Sequence, residues 1–172
     1  MIGEVEMVFR LVAASLLGGA VGYQRDIYNK PAGLRTNMLV CLGSALVMIY
    51  SENAFGGQDM SARVAAGVIT GVGFLGAGTI IHSKKRITGL TTAASMWIVA
   101  SIGMAVGGGQ DMAAITATIL VVMILYFSNI AEGVRRTGGI IKKSPRHLAE
   151  GVRRTGRIIK KKTQIRKPKT KK

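Results

Sequence analysis

The chain has 172 residues, enough for one domain, and it combines 48% hydrophobic residues with a formal net charge of +16. The charge is concentrated, because residues 131–172 hold sixteen of the 24 Lys and Arg residues while residues 1–130 carry a net charge of only +2. A single cysteine, Cys41, excludes a disulfide framework and a Cys-x-x-Cys metal site, and the two histidines, His82 and His147, are too far apart to suggest a zinc site. The composition therefore predicts an apolar body, residues 1–130, followed by a basic tail, residues 131–172.

Five charge-poor stretches follow one another along the body. They cover residues 11–24, 36–51, 64–83, 87–110 and 112–131. A helix needs about 20 residues to cross the hydrocarbon core of a membrane. The last three stretches reach that length, and the first two reach it by extending through Arg10 and Arg35, whose long stems can snorkel. Because a soluble helical protein would show polar faces at helical spacing, the sequence predicts an all-α, polytopic membrane helix bundle with about five transmembrane helices.

The loops between these stretches alternate in charge. The first and third loops are basic, with Lys30 in one and Lys84 and Lys85 in the other, whereas the second and fourth are acidic or neutral. Cytoplasmic loops of membrane proteins carry an excess of Lys and Arg. The charges therefore predict an outside N-terminus, a cytoplasmic C-terminus, and first and third loops on the cytoplasmic side.

Glycine is abundant within the predicted spans. Small residues let membrane helices approach closely, and we expect a helix-packing role for Gly18, Gly22, Gly67, Gly71, Gly73, Gly76 and Gly78. For the glycine-rich third span two interpretations stay open: a tightly packed central helix, or a broken helix whose carbonyl groups line a cavity. A G-x-G-x-x-G match in this span is not a dinucleotide site, since that motif needs a strand before it.

Polar residues cluster at the ends of the spans. On the predicted cytoplasmic side we expect one polar site, built from Arg25, Arg35, Thr36, Asn37, Arg86, Thr91 and Thr92. Arginine there suits a phosphate or carboxylate, whereas a divalent cation would prefer carboxylates, so no metal site is predicted. On the opposite side Asp59 and Arg63 stand four residues apart, a spacing that allows an ion pair on one helix face. Interfacial anchoring is the alternative for each cluster.

The basic tail contains an internal repeat. Residues 131–143 recur as residues 149–161, an offset of 18 residues that equals about five helical turns. We expect a basic amphipathic or disordered segment that lies on the anionic inner leaflet. A solvated charge run is the alternative, and nucleic-acid binding is disfavoured because the tail has no aromatic residue on which bases could stack.

Several long motifs resemble the MgtC/SapB family. They are Lys30-Pro-Ala-Gly-Leu-Arg-Thr-Asn-Met-Leu-Val-Cys-Leu-Gly43, Gly71-Val-Gly-Phe-Leu-Gly-Ala-Gly-Thr-Ile80 and Thr88-Gly-Leu-Thr-Thr-Ala-Ala-Ser-Met-Trp97. The resemblance covers residues 5–127 and implies a multi-pass inner-membrane protein connected with growth in low magnesium. In well-studied members it implies a regulatory role, with ATP synthase and phosphate uptake among the targets.

The chain departs from the pattern of this family in three places. Gln24 stands where members often have Glu, and Thr91 stands where some have Asn. The basic tail stands where many members carry a soluble C-terminal domain. A carboxylate role at position 24 and an amide contact at position 91 therefore do not carry over.

The leading hypothesis is a non-enzymatic regulator of magnesium or ion homeostasis that acts through a membrane partner, with ATP synthase as the partner that the resemblance implies. The alternative is a small transporter or channel for magnesium or an anion such as phosphate. No catalytic constellation and no cofactor motif is present in the sequence. The small-residue faces predict a homo-oligomer.

Overall fold

The computed structural model describes residues 3–55, 58–83 and 86–127. Within them the chain forms five helices and one short hairpin. In chain order these are α1 (Glu4–Ile27), α2 (Leu34–Phe55), α3 (Gln58–Gly78), β1 (Ile81–Ser83), β2 (Arg86–Thr88), α4 (Leu90–Gly107) and α5 (Asp111–Phe127). The predicted division near residue 130 and the predicted basic tail lie outside the described residues.

Four of the helices are long and apolar enough to cross a membrane. Their candidate spans are 24, 21, 19 and 18 residues long. The described part of α5 has 17 residues, which is at the lower end of the range of about 17–25 residues for a spanning helix. The predicted all-α membrane helix bundle is confirmed, and its orientation stays a prediction.

The helix boundaries differ from the predicted ones at charged and turn residues. Helix α1 continues through Arg10, as predicted, and also through Arg25, which is a helical residue rather than a flank. Helix α3 ends at Gly78 instead of continuing to residue 83, and the chain then forms an antiparallel hairpin that pairs His82 with Ile87. The strands of three residues each are too short to produce a recognisable alternation in the sequence.

Helices α1, α2 and α4 form the centre of the bundle. They meet at Cys41 of α2, which lies between Gly18 of α1 and Gly103 of α4. A methyl group on Gly18 would lie 2.6 Å from Cys41 Cβ, and one on Gly103 would clash with the carbonyl oxygen of Cys41. The three backbones can approach this closely only because two of the three facing residues are glycines.

A second contact lies one turn further along each helix pair. A methyl group on Gly22 would lie 2.6 Å from Leu34 Cα, and one on Gly107 would lie 2.6 Å from the carbonyl oxygen of Ala45. Helix α5 adds Ala114 to the same apolar core. The core is thus continuous from α1 through α2 and α4 to α5.

Helix α3 lies at the edge of this core. Only 11% of the residues in its most apolar window are buried within the chain, against 50% in α4. Its buried contacts to α4 are few, with Val72 packed near Met96 and Ala100. In the single chain α3 is peripheral rather than central, and it runs without a break from Gln58 to Gly78, so neither a tightly packed central helix nor a broken one is observed.

Candidate functional site

A buried arginine connects three elements at one end of the bundle. Arg25, near the end of α1, is only 3% exposed. Its Nε donates a hydrogen bond of 2.9 Å to the carbonyl oxygen of Pro31, and its Nη2 donates one of 2.7 Å to Oγ1 of Thr92. Because burying a charged group without hydrogen bonds is very costly, these bonds fix the α1–α2 loop and the start of α4 to the end of α1. We call the end of the bundle that holds residues 28–33 the loop-1 end.

The same loop is held from α2 by Asn37. This side chain is fully buried, and its Nδ2 donates to the carbonyl oxygens of Ala32 and Gly33, at 2.5 and 2.9 Å. The Asp26 carboxylate accepts a hydrogen bond of 2.9 Å from the backbone N–H of Leu34, the first residue of α2. A carboxylate at this position caps the helix N-terminus and complements its dipole. The loop is therefore bonded from both helices that it joins.

The loop backbone is tightly folded. Asn29 and Ala32 have φ values of 50° and 55°, the left-handed region that side chains with a Cβ rarely adopt. Gly33 leaves room for Asp26, since a methyl group there would clash with its carboxylate. Of the Pro-Ala-Gly sequence these contacts account for the glycine, which admits the cap, whereas the carbonyl groups of Pro31 and Ala32 that accept hydrogen bonds would be present in any residue.

Two buried polar atoms in this region have no hydrogen-bond partner among the described residues. They are Nε2 of Gln24 and Oδ1 of Asn37. Gln24 precedes Arg25 in α1 and is 7% exposed. An unsatisfied buried donor or acceptor costs about 1–3 kcal/mol. We call Gln24, Arg25, Asn37 and Thr92 the loop-1 site, which retains one free donor and one free acceptor.

The electrostatics of the loop-1 site favour an anionic or neutral polar group over a cation. Among the side chains that the structure describes, no Asp or Glu is buried, and Arg25 forms no ion pair with any of them. In the same part of the chain no three His, Cys, Asp or Glu side chains lie close enough together to hold a metal ion. Arginine is matched to carboxylate and phosphate oxygens by its planar fork of donors.

The structure brings together three of the seven residues predicted to form one cytoplasmic polar site. Arg25 and Thr92 are hydrogen-bonded, and Asn37 holds the loop whose Pro31 carbonyl Arg25 also binds. The other described side chains, those of Arg35, Thr36 and Thr91, are exposed. Arg86 belongs to β2, and its side chain lies outside the described part of the structure.

The predicted extracytoplasmic pair lies in the first two turns of α3. Both Asp59 and Arg63 are residues of that helix, and Arg63 is exposed. The side chain of Asp59 is outside the described set, so the ion pair stays a prediction.

A second arginine, at the other end of the bundle, was not among the predicted site residues. Arg10 Nη1 donates a hydrogen bond of 2.6 Å to the carbonyl oxygen of Gly107, and its Nη2 lies 2.6 Å from Oε1 of Glu6. Glu52 of α2 lies 3.9 Å from the same guanidinium. The Glu6–Arg10 spacing of four residues was the sequence signal available for this contact. Arg10 and Arg25 together hold α4 to α1 at both ends of α4.

The predicted packing glycines divide into two groups. Gly18, Gly22 and Gly76 lie against a neighbouring helix, whereas methyl groups on Gly67, Gly71, Gly73 and Gly78 would meet no atom within 4 Å. Two closely packed glycines, Gly103 and Gly107, were not among those predicted. Sequence spacing alone does not distinguish the two groups, because both contain pairs four residues apart.

These features define a membrane helix bundle with a closed three-helix core, a buried arginine, Arg25, at one end and a partly buried one, Arg10, at the other. The model of the MgtC family matches residues 11–134, and the chain belongs to this family. No solved structure matches the chain.

The curated relatives carry the names of that family. The chain is 43% identical over 128 residues to the "Putative magnesium transporter YhiD" of Escherichia coli (strain K12), covering 70% of this chain and 59% of the relative. It is 40% identical over 114 residues to "Protein MgtC" of Brucella abortus (strain 2308), covering 66% of this chain and 48% of the relative. It is 41% identical to "Protein MgtC" of Salmonella typhimurium (strain LT2), also over 114 residues that cover 66% of this chain and 48% of the relative. The chain spans about half the length of these relatives.

Proposed function

We propose that the chain is a non-enzymatic regulator in magnesium homeostasis, located as a multi-pass protein in the inner membrane, that acts by contact with another membrane protein complex. Membership of the MgtC family and the name of the Escherichia coli relative, which includes magnesium, support the connection with this ion. The closed core of the bundle is the observation that carries the regulatory role.

The core is closed at the level of Cys41. Gly18 and Gly103 press against this residue from both sides, and Val99 and Ile102 of α4 are buried beside it. The loop-1 site lies at one end of the bundle and Arg10, with its partners Glu6 and Gly107, lies at the other, and this apolar layer separates them. An ion would have to lose its water shell there without replacement ligands, which is prohibitively costly. The geometry therefore favours signalling by contact over conduction.

The kinds of buried side chain support the same proposal. A path for Mg²⁺ needs oxygen ligands, usually with one or two carboxylates. None of the Asp and Glu side chains that the structure describes is buried. The buried charge at the loop-1 site is instead the guanidinium of Arg25.

The surface proposed for the partner is the loop-1 end. By the distribution of Lys and Arg this end faces the cytoplasm. Arg35, Thr36 and Thr91 are exposed there, next to a loop whose shape the Arg25 and Asn37 bonds hold fixed. We further propose that the basic tail lies on the anionic inner leaflet on the same side. ATP synthase, which the family resemblance implies, is one candidate partner.

Site-specific photo-crosslinking in native membranes tests this proposal. A photoreactive residue replaces Thr36 at the loop-1 end, and the matched control replaces Leu16, which is 66% exposed in the apolar middle of α1. In cells grown in low magnesium we expect one adduct with another membrane protein at position 36, none at position 16, and weakening of the adduct when Arg35→Ala is added. Equal labelling at both positions, or no adduct at either, would refute the regulatory contact.

Transport is the second candidate. The name of the Escherichia coli relative favours it. It would require the contact of Gly18, Cys41 and Gly103 to open, because this contact closes the core. Magnesium or phosphate flux in vesicles that contain only this protein would be the supporting result.

A further inference from the structure

One face of α3 alternates open glycines with a protruding phenylalanine. Gly67, Gly71, Phe74 and Gly78 follow one another at spacings of four, three and four residues, which keeps them on one side of the helix. Methyl groups on the three glycines would meet nothing within 4 Å, and Phe74 is 81% exposed. We call these four residues the α3 open face.

A groove between α2 and α3 adjoins this face. It has a volume of about 440 Å³ and is bounded by Gly43 and Ser44 on α2 and by Val68, Gly71 and Leu75 on α3. A methyl group on Gly43 would also meet open space. Backbone is therefore accessible on both walls of the groove, as close packing of another helix requires.

A serine hydroxyl group in the groove has no partner. The residue Ser44 is 5% exposed and lines the groove, and its hydroxyl makes no hydrogen bond within the described residues. Ser15, Thr70 and Thr118, by contrast, donate to carbonyl oxygens of their own helices at 2.8–2.9 Å. A hydroxyl that faces hydrocarbon without a partner is costly, and an acceptor on an incoming helix would remove that cost.

We propose that the α3 open face and the α2–α3 groove bind a second copy of this chain, with the two α3 helices packed against each other about a two-fold axis along the membrane normal. A two-fold interface needs a self-complementary surface. The α3 open face has one, because it carries both a knob, Phe74, and the gaps at Gly71 and Gly78 into which the partner's Phe74 fits.

Composition favours a second copy over lipid, and charge does not oppose it. The α3 open face contains no charged residue and residues 1–130 carry a net charge of only +2, so two copies can meet there without like-charge contact. Glycine inside a helix costs about 0.8–1 kcal/mol relative to Ala in soluble hosts, and lipid chains filling the groove would neither need these glycines nor accept a hydrogen bond from Ser44. This inference does not depend on the regulatory role proposed above.

Disulfide crosslinking in membranes tests the geometry of the interface. In a Cys41→Ala background, Phe74→Cys places one thiol on the α3 open face. Because this substitution also removes the Phe74 knob, crosslinking is carried out at a protein density in the membrane at which the weakened dimer still forms. Tyr23→Cys on α1 and Ile124→Cys on α5 are matched controls, since both positions are similarly exposed, 63% and 65%, and lie a similar distance from the same end of the bundle. We expect a disulfide-linked dimer with Phe74→Cys at a yield at least fivefold above either control.

A pair of glycine substitutions separates the interface from general effects on α3. Gly71 belongs to the α3 open face, whereas Gly73 lies on another side of the helix, and both have open space around them. We expect Gly71→Leu to lower the dimer association constant in lipid vesicles, measured by energy transfer between labelled copies, at least tenfold. Gly73→Leu should leave it unchanged, and the helix content of both variants should equal that of the original chain.

Two further results decide the proposal. Ser44→Ala should lower the association constant about threefold, in line with a typical interhelical hydrogen bond in membranes. Phe74→Ala should weaken association as Gly71→Leu does, which keeps the test valid if the leucine variant fails to fold. Equal effects of Gly71→Leu and Gly73→Leu, crosslinking of Phe74→Cys no stronger than that of the controls, or adducts only with another protein would each overturn the proposal.

Discussion

Helices α3 and α4 are both rich in glycine, yet four of the five α3 glycines face open space whereas both α4 glycines are closely packed. Gly103 and Gly107 of α4 press against the backbone of α2, and methyl groups on either would meet a carbonyl oxygen. Gly67 and Gly71 of α3 have the same spacing and face open space. A small-residue pair therefore marks a surface where close approach is possible, and only the fold shows whether the chain itself supplies the partner.

The two helices also differ in how α1 holds them. Arg25 donates to Thr92 near the start of α4, and Arg10 donates to Gly107 at its end. Helix α3 rests on α4 mainly through apolar contacts around Val72. Helix α4 is thus the fixed centre of the bundle, and α3 is the helix with surface left for another molecule.

The largest expected effect comes from filling the α4 contact. Gly103→Ala places a methyl group against the carbonyl oxygen of Cys41, and overpacking of this kind costs about 1–3 kcal/mol, more when backbone must move. We expect destabilisation of about 3 kcal/mol, measured by thermal unfolding in detergent and followed by circular dichroism. Gly73→Ala on α3 is the control, and it should stabilise slightly because alanine favours the helix. Equal changes in the stability of both variants would contradict the difference in glycine packing between α3 and α4.

The next effect tests the bond between α1 and the start of α4. Arg25→Met leaves the Pro31 carbonyl and the Thr92 hydroxyl without their donor, and each unsatisfied buried group costs about 1–3 kcal/mol. The variant also removes the cost of burying a charge, so we expect a net loss of about 2 kcal/mol in the same unfolding assay. Arg35→Met, at an exposed position, should leave the unfolding temperature unchanged. A similar loss in both would show that charge, and not the Arg25 bonds, matters at this end.

The smallest effect tests the other end of α4. Arg10→Met removes the donor to Gly107 and the partner of Glu6, at a site where the arginine side chain is 14% exposed. Water can replace part of these interactions, so we expect a loss of about 1 kcal/mol. Arg63→Met on α3, at an exposed position, serves as the control and should have no measurable effect. A loss of stability from Arg10→Met larger than that from Arg25→Met would contradict this order, because it would show that α4 is held to α1 mainly at Gly107 rather than at Thr92.

The sequence predicts the helices better than the site. Charge-poor stretches locate all five described helices, because the need to exclude charge from hydrocarbon is a property of the chain itself. The helix end was missed at Arg25, where a partner distant in sequence, Thr92, allows a charged residue to lie inside a helix.

Residues that look alike in the sequence have different surroundings in the fold, because tertiary contacts set those surroundings. Arg25 and Arg35 flank the same loop, and only the packing of α1 against α4 makes one buried and the other exposed. The hairpin from Ile81 to Thr88 was missed because three-residue strands carry too few side chains to show a period. The glycines of α3 and α4 differ in their neighbours and not in their spacing.

The most direct test of the closed core is magnesium flux through the protein alone. The full-length chain is reconstituted in lipid vesicles that contain a magnesium-sensitive dye, next to protein-free vesicles and to vesicles with a known ionophore. Because Gly18 and Gly103 close the bundle around Cys41, we predict influx of Mg²⁺ at the rate of the protein-free vesicles at every protein density. Influx that rises in proportion to the amount of protein and saturates with Mg²⁺ concentration would contradict the closed core and with it the regulatory role.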